Sequence, residues 1–312
     1  MTKARRRGIP RQQVVAIQKD RSQIDDQVGS KANILGSMIG VKLINGEPTA
    51  KLGMTFFVHE KIDVREIPPR SRIPKKISVG QHTWPTDVLV WPKMVEQVAL
   101  PASSITFDEN LQGTLTCFAR KSGTFFGLSC AHCLKGKDGN PATPTNVQLW
   151  SPTLRKFIEV GDSVLAVFSA GTRIAGTSGF IDCGIFEIEN SQLLNRARKA
   201  KPLTVVADVK TMLHQEVFGH STFTALGDTM RTATVIGIDQ KVLDHKADLI
   251  LMAQPPGFFQ GDSGMLWVTN DGRAVGIHTR GELKPNGEGS QLIAAMSTIR
   301  ATKTLDITLL IG

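Results

Sequence analysis

Apolar residues in the first thirty positions recur at helical spacing. Val14, Ile17, Ile24 and Val28 are separated by three, seven and four residues, with charged and amide side chains between them. This spacing places the four side chains on one face of an α-helix. The pattern therefore predicts an amphipathic helix over residues 11–28.

Two apolar runs follow this helix, at residues 34–43 and 54–58, and Asn45-Gly46 lies between them. Asn-Gly accepts the positive φ angles that a tight turn needs, so the two runs predict a β-hairpin. Prolines at positions 68, 69 and 74 interrupt regular structure, and a short strand-like run at 88–90 precedes another proline. We expect residues 1–100 to form a helix plus a small α+β accessory domain.

The pattern changes to short strands from about residue 115. Runs rich in Val, Ile, Thr and Phe are separated by Gly, Asn, Asp and Pro, with clear examples at 124–128, 180–188, 232–238 and 274–277. Such spacing is typical of β-barrels and sandwiches. Apolar residues at 292, 293, 296 and 299 predict a helix over 290–302. Residues 101–312 are therefore expected to form a mainly β domain that ends in this helix.

Composition narrows the classes of protein that the chain can belong to. With 41% hydrophobic and 21% charged residues in 312, the chain has enough apolar side chains for a core, which excludes disordered and fibrous classes. No apolar stretch approaches 18 residues, and the basic N-terminus leads into a polar helix rather than a signal segment. We expect a cytoplasmic protein that does not contact membranes.

The net charge of +9 is concentrated in the first 100 residues, which contain 17 Lys and Arg against 9 Asp and Glu. A basic tail attracts phosphates, so a nucleic-acid-associated factor is one functional class to weigh. Against it, Lys42, Lys61, Lys75 and Lys76 are scattered, and no aromatic stacking platform accompanies them. Nucleic acid is therefore the less favoured partner.

The most specific chemical signal is Gly261-Asp262-Ser263-Gly264, which precedes an apolar run. A serine between glycines at a tight turn can expose its hydroxyl, and backbone N–H groups around it can converge on a developing oxyanion. An ordinary Gly-Asp-Ser-Gly turn is the alternative. The turn alone does not decide between them.

Two further segments favour catalysis. His132 follows the strand-like run 126–129, and histidine is the side chain best suited to exchange a proton near neutral pH. Asp182 lies inside the apolar run 180–188. Burying a carboxylate there is costly unless it is paired, and orienting a histidine is a common reason to accept that cost.

The segments Ala131-His132-Cys133 and Asp182-Cys-Gly-Ile-Phe and the Gly-Asp-Ser-Gly turn, in this order, resemble the trypsin/chymotrypsin family of serine proteases. The resemblance covers about residues 110–300 and implies a chymotrypsin-like double β-barrel with the active site between the barrels. It implies that Ser263 is the nucleophile, His132 the general base and acid, and Asp182 the orienting carboxylate. The N–H groups of Gly261 and Ser263 would form the oxyanion hole.

The chain departs from secreted members of that family in three respects. Cys117 and Cys133 match in placement a pair that is often a disulfide, but in a reducing cytosol we expect free thiols. No new N-terminus is placed to reach Asp262, so this carboxylate is expected to have another partner, or the site is pre-formed or opened by an activating partner protein. A zinc site at Cys117, Cys130, His132 and Cys133 is disfavoured because zinc would consume the histidine, and strand alternation would place Cys133 on the opposite face. No metal or cofactor is predicted.

The same resemblance places Gly257 at the base of the specificity pocket, where an acidic anchor for Lys or Arg is missing. The segment around His278 and Arg280 is similar to that of glutamyl endopeptidases and of viral cysteine proteases that favour Gln or Glu. His278 would donate a hydrogen bond to the substrate, and Arg280 would add charge. We therefore expect Glu, Gln or Asp at P1, the residue whose carbonyl is attacked; the alternative is that His278 satisfies a β-edge hydrogen bond or faces solvent.

Residues 32–91 resemble the small α/β domain that precedes the protease in a cytosolic bacterial branch of the family and in plant narrow-leaf-type proteases. The similarity rests on short signatures such as Asn33-Ile-Leu-Gly and Met54-Thr-Phe-Phe-Val. It implies an intracellular serine endopeptidase that acts on a protein or peptide substrate, with a role as an effector in a bacterial stress or defence system. The alternative is a catalytically inactive protease fold used as a binding module.

Overall fold

The computed structural model describes residues 8–29, 31, 33–92, 94–96, 105–108, 111–134, 146–151, 156–170, 180–221, 229–243, 245–255, 257, 261–282 and 291–311. The helices are α1 (Arg11–Val28), α2 (Ser191–Lys199) and α3 (Thr298–Leu305), with 3₁₀ turns at Pro69–Ser71, Ala131–Cys133 and Val209–Met212. The first strands are β1 (Ile34–Ile44), β2 (Glu47–Val58), β3 (Lys76–Val79), β4 (His82–Val90), β5 (Met94–Glu96), β6 (Ile105–Asp108) and β7 (Leu111–Gly113).

The middle strands are β8 (Cys117–Lys121), β9 (Thr124–Ser129), β10 (Asn146–Ser151), β11 (Lys156–Ala170), β12 (Phe180–Glu187) and β13 (Lys201–Pro202). The last are β14 (Glu216–Ser221), β15 (Thr229–Val242), β16 (His245–Ala253), β17 (Leu266–Val268), β18 (Ala274–Glu282), β19 (Leu292–Ser297) and β20 (Thr308–Ile311). The strands predicted at 124–128, 180–188, 232–238 and 274–277 correspond to β9, β12, β15 and β18. The predicted mainly β fold is confirmed.

The two N-terminal predictions are confirmed as well. Helix α1 buries the four apolar residues of the predicted face. The hairpin of β1 and β2 turns at Asn45 and Gly46, whose φ angles of 53° and 81° are those of a turn with two left-handed residues. Helix α1 also buries Arg21, whose Nη1 donates to the Asp239 carboxylate on β15 at 2.6 Å and so joins the helix to the following sheet.

The helix predicted over residues 290–302 is wrong in its first half. Residues 292–297 form strand β19, between β16 and β18, and helix α3 begins at Thr298. Positions 293–297 are all buried, because β19 is a barrel strand covered on both faces. A short apolar run of this kind has no period that separates strand from helix. Residue 290 lies outside the described part of the chain.

One sheet closes into a barrel of six strands, in the order β14-β17-β18-β19-β16-β15, because β15 also pairs with β14. The sheet continues from β15 into β1, β2, β4 and β3. The close approach of β1 and β15 needs glycine at Gly36, where a Cβ would lie 1.9 Å from the Lys241 carbonyl oxygen. Residues on both sides of position 100 thus share a sheet, and the division into 1–100 and 101–312 remains a prediction.

The other sheet has nine strands in the order β13-β20-β8-β9-β12-β11-β10-β6-β7. It packs against the six-stranded barrel through a shared hydrophobic cluster that includes Leu128 and Ile185 on one side and Ile277 and Met296 on the other. His132, Asp182 and Ser263 all lie close to this junction. The two-layer packing therefore positions the candidate site.

Candidate active site

His132 lies where strand β9 ends. The chain leaves β9 at Ser129 and makes one 3₁₀ turn over Ala131–Cys133, which buries the imidazole almost completely, at 1% exposure. Because these residues form a turn and not a strand, the predicted alternation that would place Cys130 and His132 opposite Cys133 does not apply.

Asp182 reaches His132 from the neighbouring strand. Strand β12 pairs with β9 at Gly184 and Ser129, which brings the carboxylate under the 3₁₀ turn. Asp182 Oδ2 lies 2.6 Å from His132 Nδ1, and Oδ1 accepts from the His132 backbone N–H at 3.1 Å. A carboxylate only accepts hydrogen bonds, so Nδ1 holds the proton and Nε2 is the basic atom of the neutral ring. Nε2 is buried and has no hydrogen-bond partner within the described residues.

The turn around Ser263 is held by threonine hydroxyls from the segment that leads into β8. Gly261 and Gly264 have φ angles of 99° and 96°, which favour glycine. The Thr114 hydroxyl donates to the Gly261 carbonyl at 2.8 Å, and the Thr116 hydroxyl donates to the Gly264 carbonyl at 2.6 Å. The nine-stranded sheet thus fixes a turn that belongs to the six-stranded barrel.

The Ser263 hydroxyl is fully buried and donates to the Thr279 carbonyl on β18 at 3.3 Å. The Cys133 Sγ lies 3.9 Å from the Ser263 carbonyl oxygen, so the serine turn abuts the 3₁₀ turn that carries His132. The structure therefore brings Asp182 and His132 into a hydrogen bond and places Ser263 beside the residue that follows His132. In this conformation the hydroxyl is directed at a backbone carbonyl.

Asp262, next to the serine, is buried and has a cationic partner. Its Oδ2 lies 4.0 Å from Nε of Arg231 on β15, whose side chain is also buried, at 3% exposure. The expectation that Asp262 pairs with something other than a new N-terminus is met by a guanidinium from the barrel wall.

Replacing Arg231 with methionine is expected to lower the free energy of unfolding by about 3–5 kcal/mol, because the Asp262 carboxylate would stay buried without this cation. Urea denaturation measures the loss. In the double variant Arg231→Met/Asp262→Asn the charge is gone, so part of the stability should return. Equal stability of the single and double variants would contradict a structural role for the ion pair.

The pKa of His132 is set by opposing effects. Burial lowers it, but the Asp182 carboxylate and the Cys133 sulfur, by charge and hydrogen bonding, raise it well above the usual value for histidine. The folded state therefore binds this proton more tightly than the unfolded chain does. The resulting stability is fully present below the unfolded pKa of about 6.5 and is lost as the pH rises through the folded pKa.

A protonated His132 cannot accept a proton from serine, so kcat/KM for peptide hydrolysis is expected to rise with pH through this raised pKa. Below it, each pH unit should cost about tenfold. The measurement is the pH profile of kcat/KM, with circular dichroism to show that the fold is constant over the range. An acidic limb at or below the ordinary pKa of histidine would contradict the raised pKa of His132.

All four cysteines are free and buried, as expected for the pair Cys117 and Cys133. Burial raises the pKa of Cys117 to about 12. Burial also acts to raise the pKa of Cys133, but a hydrogen bond from Cys130 and the charge of His132 lower it to about 6. Burial likewise raises the pKa of Cys130 and of Cys183, so Cys133 differs from the other three thiols.

Ligand atoms of Cys130, His132 and Asp182 lie within 4.8 Å of one another, which is the spacing of a metal site. The 2.6 Å contact between Nδ1 and Oδ2 is a hydrogen bond. Cys130 donates its thiol to the His278 carbonyl at 3.1 Å. The contacts of this cluster thus fit a histidine held by hydrogen bonds better than a metal ligand set.

The predicted specificity residues lie on both sides of the serine turn. Gly257 is buried with φ 84°, and the residues between it and Gly261 lie outside the described part. His278 is fully buried on β18, so the alternative that it faces solvent is wrong. Burial and the charge of His132 lower the pKa of His278 to about 3, so its ring is neutral. Arg280, two residues along the same strand, is 9% exposed.

Four residues of the site were not predicted from the sequence: Thr114, Thr116, Arg231 and Thr279. The two threonine hydroxyls before β8 donate to carbonyls of the serine turn, and the Thr279 carbonyl accepts from Ser263. Arg231 pairs with Asp262 from the barrel wall. The partners in these contacts are 16 to 148 residues apart in sequence. A buried arginine in a strand is the one signal that was available, since it requires an anionic partner.

No family model matches the chain, and no curated protein matches it. Among solved structures, a glutamic acid specific serine protease described as using a histidine triad in substrate binding matches at 14% identity and a TM-score of 0.45, over 68% of this chain and 100% of its own. Thermobifida fusca Protease A matches at 14% identity and 0.43, over 68% and 97%. The HtrA-type protease AlgW with a decapeptide matches at 14% and 0.40, over 67% and 59%. At these TM-scores the fold assignment rests on the strand order itself.

No helix among the described residues has the length and apolar character needed to cross a membrane.

Proposed function

We propose that this chain is a serine endopeptidase that hydrolyses peptide bonds through Ser263, His132 and Asp182. The observation that carries the proposal is the buried 2.6 Å hydrogen bond between His132 Nδ1 and Asp182, in a 3₁₀ turn whose Cys133 sulfur contacts the Ser263 carbonyl. An orienting carboxylate behind an imidazole is the arrangement that activates a serine hydroxyl.

In the proposed reaction, the Ser263 hydroxyl first rotates away from the Thr279 carbonyl toward His132. Its oxygen attacks the substrate carbonyl carbon while Nε2 takes its proton, and the N–H groups of Gly261 and Ser263 stabilise the oxyanion. Nε2 then protonates the leaving amine as the C–N bond breaks. Water, deprotonated by the same nitrogen, hydrolyses the acyl-serine and restores the hydroxyl.

Labelling of the purified protein with a fluorophosphonate tests this proposal, because the probe reacts only with an activated serine. Mass spectrometry of the labelled peptide should place the phosphonyl group on Ser263. Absence of label on folded protein, both at rest and with a peptide substrate present, would favour the second candidate, an inactive protease-fold binding module. The burial of the Ser263 hydroxyl against Thr279 is the observation that keeps this candidate open.

We further propose Glu, Gln or Asp at P1, with Gly257, His278 and Arg280 in the substrate-binding site. The neutral ring of His278 donates one hydrogen bond, which either a carboxylate or a carboxamide can accept. The guanidinium of Arg280 on the same strand adds favourable charge for the acidic residues. A cytoplasmic location and a role as an effector in bacterial stress or defence complete the proposal.

Replacing His278 with alanine is expected to lower kcat/KM for P1 glutamate substrates by about 10- to 100-fold, since a hydrogen bond to a charged group contributes about 1.5–3 kcal/mol. A P1-randomised peptide library measures the change against wild type. His59→Ala, a substitution of an exposed histidine that follows strand β2, is the control and should keep the preference. An unchanged preference in His278→Ala would remove His278 from the pocket.

A further inference from the structure

Strand β18, which carries His278 and Arg280, pairs with two different strands along one of its edges. Along this edge of β18, β17 pairs with the first half, at positions 274, 276 and 277. Strand β5 pairs with the second half, with Glu96 opposite Arg280, Val95 opposite Gly281 and Met94 opposite Glu282. The opposite edge of β18 pairs with β19.

Ser263 lies beside the part of β18 where the pairing with β17 has ended and the pairing with β5 begins. The Gly264 N–H donates to the His278 carbonyl at 2.8 Å, and the Ser263 hydroxyl donates to the carbonyl of Thr279, the next residue. The pairing with β5 starts one residue later, at Arg280. An extended peptide on this part of the edge therefore lies directly beside the candidate nucleophile.

Adding a strand to a free sheet edge is a general way to bind an extended peptide, because the main chain supplies the hydrogen bonds. Strand β5 runs antiparallel to β18, so its carboxyl end, at Glu96, is the end closest to Thr279 and Ser263. A substrate bound at this edge must also run with its carboxyl end toward Ser263, because the bond to be cut lies on the carboxyl side of the bound residues. Strand β5 thus has the orientation of a substrate.

The chain just before β5 is anchored to strand β2. The Trp91 N–H donates to the Val58 carbonyl at 2.8 Å, and the Trp91 and Phe57 rings meet edge to face with centroids 5.0 Å apart. Only two residues separate Trp91 from Met94, whose side chain packs partly buried against the main core. A tether this short gives β5 a high effective concentration at the edge.

Burial agrees with an occupied site. Ser263 has no exposed surface and His132 is 1% exposed, so neither is reachable by an extended peptide in this conformation. We propose that Met94–Glu96 is an intramolecular inhibitory strand that occupies the substrate-binding edge of β18, so that a substrate binds only after displacing it. This inference rests on the proposed function, because it assigns the edge beside Ser263 to substrate.

The test replaces Val95 with proline, which removes a backbone N–H and disfavours strand pairing, and uses Val95→Ala as the matched control. Hydrolysis of a peptidyl-glutamate aminocoumarin amide gives kcat and KM for each protein. An internal competitor raises the apparent KM by the reciprocal of the unoccupied fraction and leaves kcat unchanged. We therefore expect KM to fall about tenfold or more in Val95→Pro, with similar kcat, and to stay near the wild-type value in Val95→Ala.

Equal KM in Val95→Pro and Val95→Ala, with turnover present, would overturn the inhibitory strand while leaving the proposed peptidase intact. If Val95→Pro does not fold, the triple change Met94→Gly/Val95→Ser/Glu96→Gly replaces it in the same assay, with the same expected fall in KM. Loss of turnover in every protein, wild type included, would count against the peptidase itself.

Hydrogen exchange tests the pairing of β5 with β18 independently of turnover. The backbone amides within residues 280–282 that donate to β5 should exchange at least about tenfold faster in Val95→Pro than in Val95→Ala, since exchange follows local opening. Equal exchange would overturn the pairing. Faster exchange combined with an unchanged KM would overturn inhibition.

Discussion

Replacing Ser263 with alanine is expected to lower kcat for peptide hydrolysis by about 10⁶-fold, because the remaining groups have no nucleophile to activate. The residual rate would come from binding and from the oxyanion N–H groups alone. Steady-state hydrolysis of the P1-glutamate peptide and fluorophosphonate labelling measure the loss together.

Ser37→Ala is the matched control for this substitution. Ser37 is also a buried serine, but it accepts from Arg21 and donates to Asp25 beside helix α1, far from the 3₁₀ turn of His132. Its loss should cost about 1 kcal/mol of stability and leave kcat near wild type. Turnover that survives in Ser263→Ala would show that another residue is the nucleophile.

Replacing Asp182 with asparagine is expected to lower kcat by about 10⁴-fold at neutral pH. Asparagine keeps the shape, and its carbonyl oxygen can still accept from the His132 backbone N–H. Its amide then donates toward Nδ1, which moves the ring proton to Nε2 and leaves no lone pair there for the serine proton. The measurement is kcat at fixed pH for both proteins.

The same substitution removes the carboxylate charge that raises the pKa of His132. Burial then dominates, so the pKa of His132 should fall below its wild-type value and the acidic limb of the pH profile should move to lower pH. NMR titration of the imidazole separates this effect from misfolding. An unchanged imidazole pKa in Asp182→Asn would mean that the two side chains do not interact in solution.

These expectations describe a site whose parts come from two sheets. His132 and Asp182 belong to neighbouring strands of the nine-stranded sheet, whereas Ser263 belongs to a turn of the six-stranded barrel. Hydrogen bonds from Thr114 and Thr116 hold the turn against the first sheet. A substitution that separates the sheets should therefore weaken the site without touching any of its three side chains.

Several features were predictable because their signals are local. Helix α1 follows from apolar spacing, the first hairpin follows from Asn45-Gly46, and the β-rich second half follows from short strands between turn residues. The candidate residues His132, Asp182 and Ser263 were proposed from local motifs and a family resemblance. The hydrogen bond between His132 and Asp182 agrees with that proposal, and the role of Ser263 remains a prediction.

Other features depended on pairing between distant segments. Strand β19 was predicted as a helix because a short apolar run fits either element, and its pairing with β16 and β18 decided the matter. The ion pair of Arg231 with Asp262, the contact of the Ser263 hydroxyl with Thr279 and the pairing of β5 with β18 have no local signature. Strand register and barrel closure bring these groups together across 16 to 188 residues of chain. By itself, then, the sequence determined most of the secondary-structure elements and the types of side chain at the site. The tertiary structure decided which groups meet and what occupies the edge of β18 beside the serine, because contacts of this range arise only when the sheets assemble.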